Sequence, residues 1–377
     1  MIILSANAMK RIIFFVVIAF CGSMCAHAKP SITNRMEAQS PCRGTPHIDL
    51  CLSSVQSLSS SSMSEKEIIS STLKITKQRA NSFSLTTTLL KSSRLSEKTA
   101  IRDCKLLFDS TVEALDTAID QLSQPGSLSS LQIDDVQTFL SAAMTNQDTC
   151  LDGFNSIKRS VPDQIASQAT ELSNRLSNAL AMLKNNTSQN TNDTRRGLLP
   201  TWLSQKDEVF LQKGAGGLFR INLTVAKDGS GNFTTINEAV AAAPNASTTR
   251  FVIYIKKGIY SENVAVGSNK TMIMFIGDGK DATVIRGNRS VGDNSTTFES
   301  YTVAVTGKKF VAKSISFVND AGAQKHQAVA LRVGADFSVF YGCSFKGYQD
   351  TLYVHSYRQF YRECDIYGTM DFIFGNA

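Results

Sequence analysis

Two stretches, FYGCSFKGYQD at residues 340–350 and FYRECDIYGTMD at residues 360–371, can be laid over one another. With one residue inserted near the start of the second, Cys343, Gly347 and Asp350 recur as Cys364, Gly368 and Asp371, each 21 positions on. A period in the low twenties suits one coil of a parallel β-helix, whose repeats bury their apolar sides only by stacking. Coincidence is the competing explanation, and three matched positions in one Gly-x-x-Asp frame weigh against it.

The surrounding sequence has the same texture. Short β-rich runs such as FVIYIKKGIY, KTMIMFIGDG, YTVAVTG, FVAKSISFVND and AVALRVGAD are separated by Gly, Asn and Asp. Strands without intervening helices predict an all-β domain. One early helix is expected at 235–243, where INEAVAAA runs into Pro244.

Residues one coil apart lie on neighbouring strands about 4.8 Å apart. Asp350 and Asp371 should therefore project from one face with their carboxylates close together. Two such groups cannot both ionise freely, so one stays protonated longer and the pair becomes an acid plus a nucleophile or base. The plainer alternative is an aspartate ladder that caps turns or binds calcium. Two amides favour chemistry: Gln349 precedes Asp350, and Gln327 lies about one coil earlier. Neutral amides donate to a developing oxyanion without adding charge. Tyr348, Tyr353, Tyr357, Phe360, Phe372 and Phe374 lie around them, suited to sugar rings where they are not core. Together these read as hydrolysis of a carbohydrate derivative.

Upstream, 39–184 is rich in Ser and Thr, with apolar residues recurring at three and four. Phe108, Val112, Leu115, Ile119 and Leu122 lie along one helical stripe, Pro125-Gly126 marks a turn, and 133–144 begins another helix. Several such helices must bury their stripes against each other, which predicts a bundle. Residues 185–216 read as a linker, with Arg195-Arg196 an exposed dibasic pair attractive to a processing protease or else an ordinary charged loop.

At the N-terminus, Lys10-Arg11, the apolar run IIFFVVIAF and Ala26-His27-Ala28 describe a signal peptide over 1–28. The run is shorter than the roughly 20 residues of a membrane span, so no stable span is expected. Secretion makes sense of sequons at Asn185, Asn186, Asn192, Asn222, Asn232, Asn245, Asn269, Asn288 and Asn294. It also makes sense of Cys42, Cys51, Cys104 and Cys150, an even set that reads as two disulfides in an oxidising compartment. A zinc site competes poorly, because His47 makes no ligand-spaced pair. The net charge of +7 suits a polyanionic partner or simply a mildly basic surface. Nucleic acid is not expected, since long Lys/Arg runs and aromatic-interleaved basic stripes are lacking.

HQAVALRV, GYQDTLYVHSYRQFYRECDIYG and GTMDFIFGNA are similar to signature segments of plant pectin methylesterases, and GNFTTINEAVAAAP and GIYSENVAV resemble the start of that domain. LSAAMTNQDTCLDGF and the four cysteines resemble the pectinesterase-inhibitor domain, and RRGLLPTWLS resembles the inter-domain cleavage motif with Gly197 inserted. The fold class expected is thus multidomain: a helical inhibitor-like bundle (39–184), then an all-β right-handed parallel β-helix (217–377).

The resemblance implies disulfides Cys42–Cys51 and Cys104–Cys150. It implies Asp371 as nucleophile toward the methyl ester of a galacturonate unit, Asp350 as acid and base, and Gln349 as oxyanion stabiliser. Thr297 and Gln327 would contact substrate. No cofactor or metal is implied. The partners implied are methyl-esterified homogalacturonan in the cell wall, the chain's own N-terminal domain as autoinhibitor, and a processing protease. Family members continue past Ala377 through later coils and a segment with a substrate-binding Arg and Trp, so the β-helix is expected to be incomplete. An inert fragment, an inhibitor of other pectin methylesterases, or a polysaccharide hydrolase on the same paired carboxylates are the alternatives.

Overall fold

A computed structural model describes residues 41–58, 63–185, 200–213 and 220–377. The expected leader over 1–28 and the Arg195-Arg196 pair lie outside these residues.

Five helices form the first body: α1 (Ile48–Gln56), α2 (Glu65–Thr87), α3 (Leu95–Ser123), α4 (Ser130–Ser156) and α5 (Asp163–Asn185). Their starts are written locally. Ser64 and Glu67 form a reciprocal cap on α2, and Ser129 and Gln132 do the same on α4, satisfying amides that a helix end otherwise leaves open. On α3 the predicted stripe turns inward: Phe108, Leu115, Ile119 and Leu122 are buried and Val112 is half-buried. Gly126, with φ of 87°, makes the turn into α4, where a side chain would be strained. Cys42 is bonded to Cys51 and Cys104 to Cys150, the second pair tying α3 to α4. No helix among the described residues is long and apolar enough to cross a membrane.

The short α6 (Gln205–Lys213) packs on the strands of the second body. Phe210 and Leu211 are buried against Val252, Met274, Val311 and Val339. Asp207 makes a buried ion pair with Arg250 at 2.8 Å, and the Lys313 ammonium donates to the carbonyls of Phe210 and Leu211 at the helix end. Residues 200–213, inside the span read as a linker, thus belong with the β domain.

After β1 (Leu223–Val225) comes α7 (Ile236–Ala242), with the Thr235 hydroxyl accepting from the Glu238 amide. Five coils of three strands each come next. They are β2 (Phe251–Ile255), β3 (Gly258–Ser261) and β4 (Val264–Val266); β5 (Ile273–Gly277), β6 (Thr283–Gly287) and β7 (Val303–Val305); β8 (Val311–Lys313), β9 (Ser316–Asn319) and β10 (Leu331–Val333); β11 (Ser338–Tyr341), β12 (Ser344–Lys346) and β13 (Leu352–Val354); and β14 (Gln359–Arg362), β15 (Asp365–Tyr367) and β16 (Ile373–Gly375). The first strand of every coil joins one sheet (β1-β2-β5-β8-β11-β14), the second another (β3-β6-β9-β12-β15) and the third a third (β4-β7-β10-β13-β16). All strand pairings among the described residues are parallel. This is a parallel β-helix.

The last two coils stack at the spacing read from sequence. Phe340 pairs with Tyr361, Ser344 with Asp365 and Leu352 with Ile373, each a step of 21. Earlier coils carry longer connections: Val311 pairs with Val339, a step of 28, and Met274 with Val311, a step of 37. Within the tube, aromatic rings repeat the stack. Phe317 lies on Phe345 with centroids 5.6 Å apart, and Phe340 on Tyr361 at 4.9 Å. Burying such rings contributes about 2–3 kcal/mol each, which compensates strands only three to five residues long.

Helices α3 and α4 lie across the third sheet. Phe108, Cys104 and Phe154 of the bundle share one apolar cluster with Phe298, Tyr301, Ala304, Val329 and Tyr353 of the β-helix. Polar contacts fix the docking: Thr149 hydroxyl to His355 Nε2 at 3.0 Å, Asn376 Nδ2 to Thr145 Oγ1 at 2.6 Å, and Arg358 to Asp135.

Candidate active site

The turn from β12 to β13 carries Asp350, and the turn from β15 to β16 carries Asp371. Both are in left-handed backbone, with φ of 64° and 48°. Equivalent turns in stacked coils place equivalent residues above one another, and the Asp350 amide donates to the Met370 carbonyl at 3.1 Å. Aspartate tolerates such backbone better than most side chains, and other stacked corners of the tube adopt it too. Gly368 makes the second turn possible: a Cβ there would lie 2.2 Å from Cβ of Phe372 and 2.6 Å from the Thr351 hydroxyl.

The two aspartates differ in environment. Asp350 is buried, whereas Asp371 is exposed. Burial, and then the neighbouring Asp371 charge, push Asp350 up to about 7. A carboxyl with that value holds a proton near neutrality and exchanges it readily.

Thr297, Gln327 and Asp350 line one cavity of about 650 Å³, with Tyr353 and Phe374. The latter rings stack with centroids 4.1 Å apart. Gln349 and Asp371 do not line this cavity; the Gln349 side-chain amide instead faces Met370 Sδ at 3.8 Å. The other aromatics divide. Tyr348 and Phe372 are exposed, Tyr357 packs edge-on against Phe139 of the bundle, and Phe360 packs beside the residue 200–213 segment. Among the described residues no group of three or more His, Cys, Asp or Glu is arranged to hold a metal ion.

The opposite wall belongs to the bundle. Thr145, Asp148, Thr149 and Asp152 of α4 line the cavity together with Asp350. Sequence reasoning gave these residues no part in the site: Asp148 and Asp152, four apart on a helix, carry the pattern of an ordinary solvated face. Next to this cavity lies a buried charged cluster that was equally invisible. The Arg332 guanidinium lies 3.5 Å from the Phe298 ring centroid and 3.9 Å from Glu299. Asp103 of α3 accepts from the Thr296 hydroxyl, while burial and then the Glu299 charge push it up to about 7. His355 is held down at about 3 by burial first and then by Arg332.

The β-helix thus stacks two aspartates, one of them lining a polar, aromatic cavity that it shares with the helical bundle. The family model "Pectinesterase" matches residues 222–377, and "Plant invertase/pectin methylesterase inhibitor" matches residues 37–182. "Pectinesterase 2" of Arabidopsis thaliana is 44% identical over 380 residues, covering 92% of this chain and 64% of its own length. "Pectinesterase/pectinesterase inhibitor 3" of the same plant is 40% identical over 420 residues, covering 100% of this chain and 70% of its own length. A solved pectin methylesterase from carrot is 58% identical over 42% of this chain and 50% of that one, with a TM-score of 0.42. The chain belongs to the pectinesterase/pectinesterase inhibitor family. It spans 64% and 58% of the first two curated relatives it matches.

Proposed function

We propose that this protein is a pectinesterase that hydrolyses galacturonate methyl esters of cell-wall pectin, releasing methanol. The observation that carries the reading is the Asp350–Asp371 stack, in which a buried carboxyl pushed up to about 7 sits beside an exposed one. Asp371 attacks the ester carbonyl, and Gln349 donates to the oxyanion as the tetrahedral intermediate forms. Collapse expels methoxide, which takes the Asp350 proton and leaves as methanol. Water then attacks the acyl-enzyme, giving its proton to Asp350, and the galacturonate carboxylate departs from Asp371. Thr297 and Gln327 hold the sugar. This scheme uses neither metal nor organic cofactor.

The bundle serves as an autoinhibitor. Pectin is a polymer, and α4 lines the cavity at Asp350, so cleavage at Arg195-Arg196 by a processing protease would release the active form. The leader and the two bundle disulfides suit secretion to the cell wall. The test is methanol release from methylated pectin by the processed chain and by Asp371→Asn. Methanol appearing without new reducing ends supports an esterase over a glycosidase; equal release by both proteins removes Asp371 from the mechanism.

A further inference from the structure

Among the described residues Cys343 and Cys364 are the two cysteines outside the bundle disulfides. Their neighbours Ser344 and Asp365 are register partners, and the Asp365 amide donates to the Cys343 carbonyl at 2.9 Å. The two cysteines therefore stand directly over one another. Strand partners lie about 4.8 Å apart, and a disulfide spans Cα separations of roughly 4.4–6.8 Å. Cys343 belongs to the buried core of the tube, and Cys364 packs against that core. Each stands seven residues before an aspartate, Cys343 before Asp350 and Cys364 before Asp371. The thiols are close enough to perturb one another: Cys343 lowers the Cys364 pKa, while burial and then Cys364 raise that of Cys343.

We propose that Cys343 and Cys364 are joined by an inter-coil disulfide that staples the coil of Asp371 onto the coil of Asp350. The oxidant is a small-molecule or protein disulfide such as glutathione disulfide. The Cys364 thiolate attacks one of its sulfurs and expels a glutathione thiolate. Cys343 gives up its proton and attacks the Cys364 sulfur of the mixed disulfide, expelling the second glutathione. Two electrons pass to the oxidant, and the two thiol protons end on the two glutathiones released. The staple fixes the axial spacing of the turns that bear the carboxyl pair, and it closes a covalent loop around one full coil, which restricts the unfolded chain.

The test is peptide mapping of the full chain after incubation with glutathione disulfide, with remaining thiols blocked by N-ethylmaleimide in denaturant. The expected product joins the peptides bearing Cys343 and Cys364 at a mass about 2 Da below their sum, two hydrogens having been lost. Both peptides carrying the maleimide, while Cys42–Cys51 and Cys104–Cys150 remain linked in the same sample, would overturn the proposal. A second measurement separates the staple from packing. Cys364→Ser should lower the Tm of the oxidised chain by about 5 °C and leave it near that of the chain with only this pair kept reduced. An equal drop relative to both forms would show packing alone and count against the staple.

Discussion

Asp350 and Asp371 occupy the same turn of two successive coils, 21 residues apart, one buried and the other exposed, with the charge of Asp371 raising the pKa of Asp350. The asymmetry comes from position: Asp350 lines the cavity shared with the bundle, and Asp371 is exposed outside it.

Replacing either carboxyl by its amide should therefore have unequal effects. On the proposed mechanism Asp371→Asn removes the nucleophile and should reduce methanol release by about 10³-fold or more, whereas Asp350→Asn removes acid–base assistance and should cost about 10²–10⁴-fold. Single-turnover assays on the processed chain distinguish them, because only Asp350→Asn retains the group that forms the acyl-enzyme.

The stability of the folded chain should depend on pH. Asp103 and Asp350 have pKa values raised to about 7 from 3.8, so the folded chain binds more protons than the unfolded one between about pH 4 and 7. Their contribution is fully present below pH 4 and is lost as pH rises through 7. His355, lowered from 6.5 to about 3, acts oppositely: its contribution is present above 6.5 and is lost as pH falls toward 3. Asp103→Asn keeps a partner for Thr296 without the buried charge, and should stabilise the folded chain at pH 8 by about 1–2 kcal/mol. The gap between thermal melts of wild type and variant should narrow as pH falls from 8 and close below about pH 4.

The residue 200–213 segment should behave as part of the β domain. Asp207→Ala leaves Arg250 buried without its ion-pair partner and should cost about 3 kcal/mol. Urea unfolding followed by fluorescence of Trp202, which packs 5.1 Å from the Phe337 ring, reports the loss. An unchanged midpoint would mean that the segment is only loosely held.

Gly368→Ala tests the turn itself. The added Cβ meets Phe372 and Thr351, so the turn before Asp371 must shift, at a cost of about 1–3 kcal/mol. Methanol release should fall well beyond what the change in Tm explains, since a misplacement of about 1 Å can cost on the order of 10²-fold.

The bundle stripe on α3 and the strand texture were legible because periodicity and burial share a cause: an amphipathic element hides its apolar side. The coil repeat was clearest between Asp350 and Asp371, where the step is 21; steps of 28 and 37 between other strands of the earlier coils break the period. The corners were not legible. Ser314, Gly342 and Glu363 occupy matching corners with φ of 59°, 60° and 54°, yet only one is glycine. Coil stacking imposes those conformations against local preference. Tyr357 and Phe360 were grouped with the cleft by proximity in sequence, but strand geometry sends them elsewhere, to the bundle and to the residue 200–213 segment.

The sequence by itself determined the two bodies, the coil period and the pair of carboxyls, because each is set by short-range pattern and a fixed repeat. Only the tertiary structure decided that Asp350 is the buried member of the pair, that α4 lines its cavity, and that Asp103, Glu299 and Arg332 meet between the bodies. Desolvation has no linear signature: it depends on which surfaces come together, and that is settled by the packing of α3 and α4 on the third sheet.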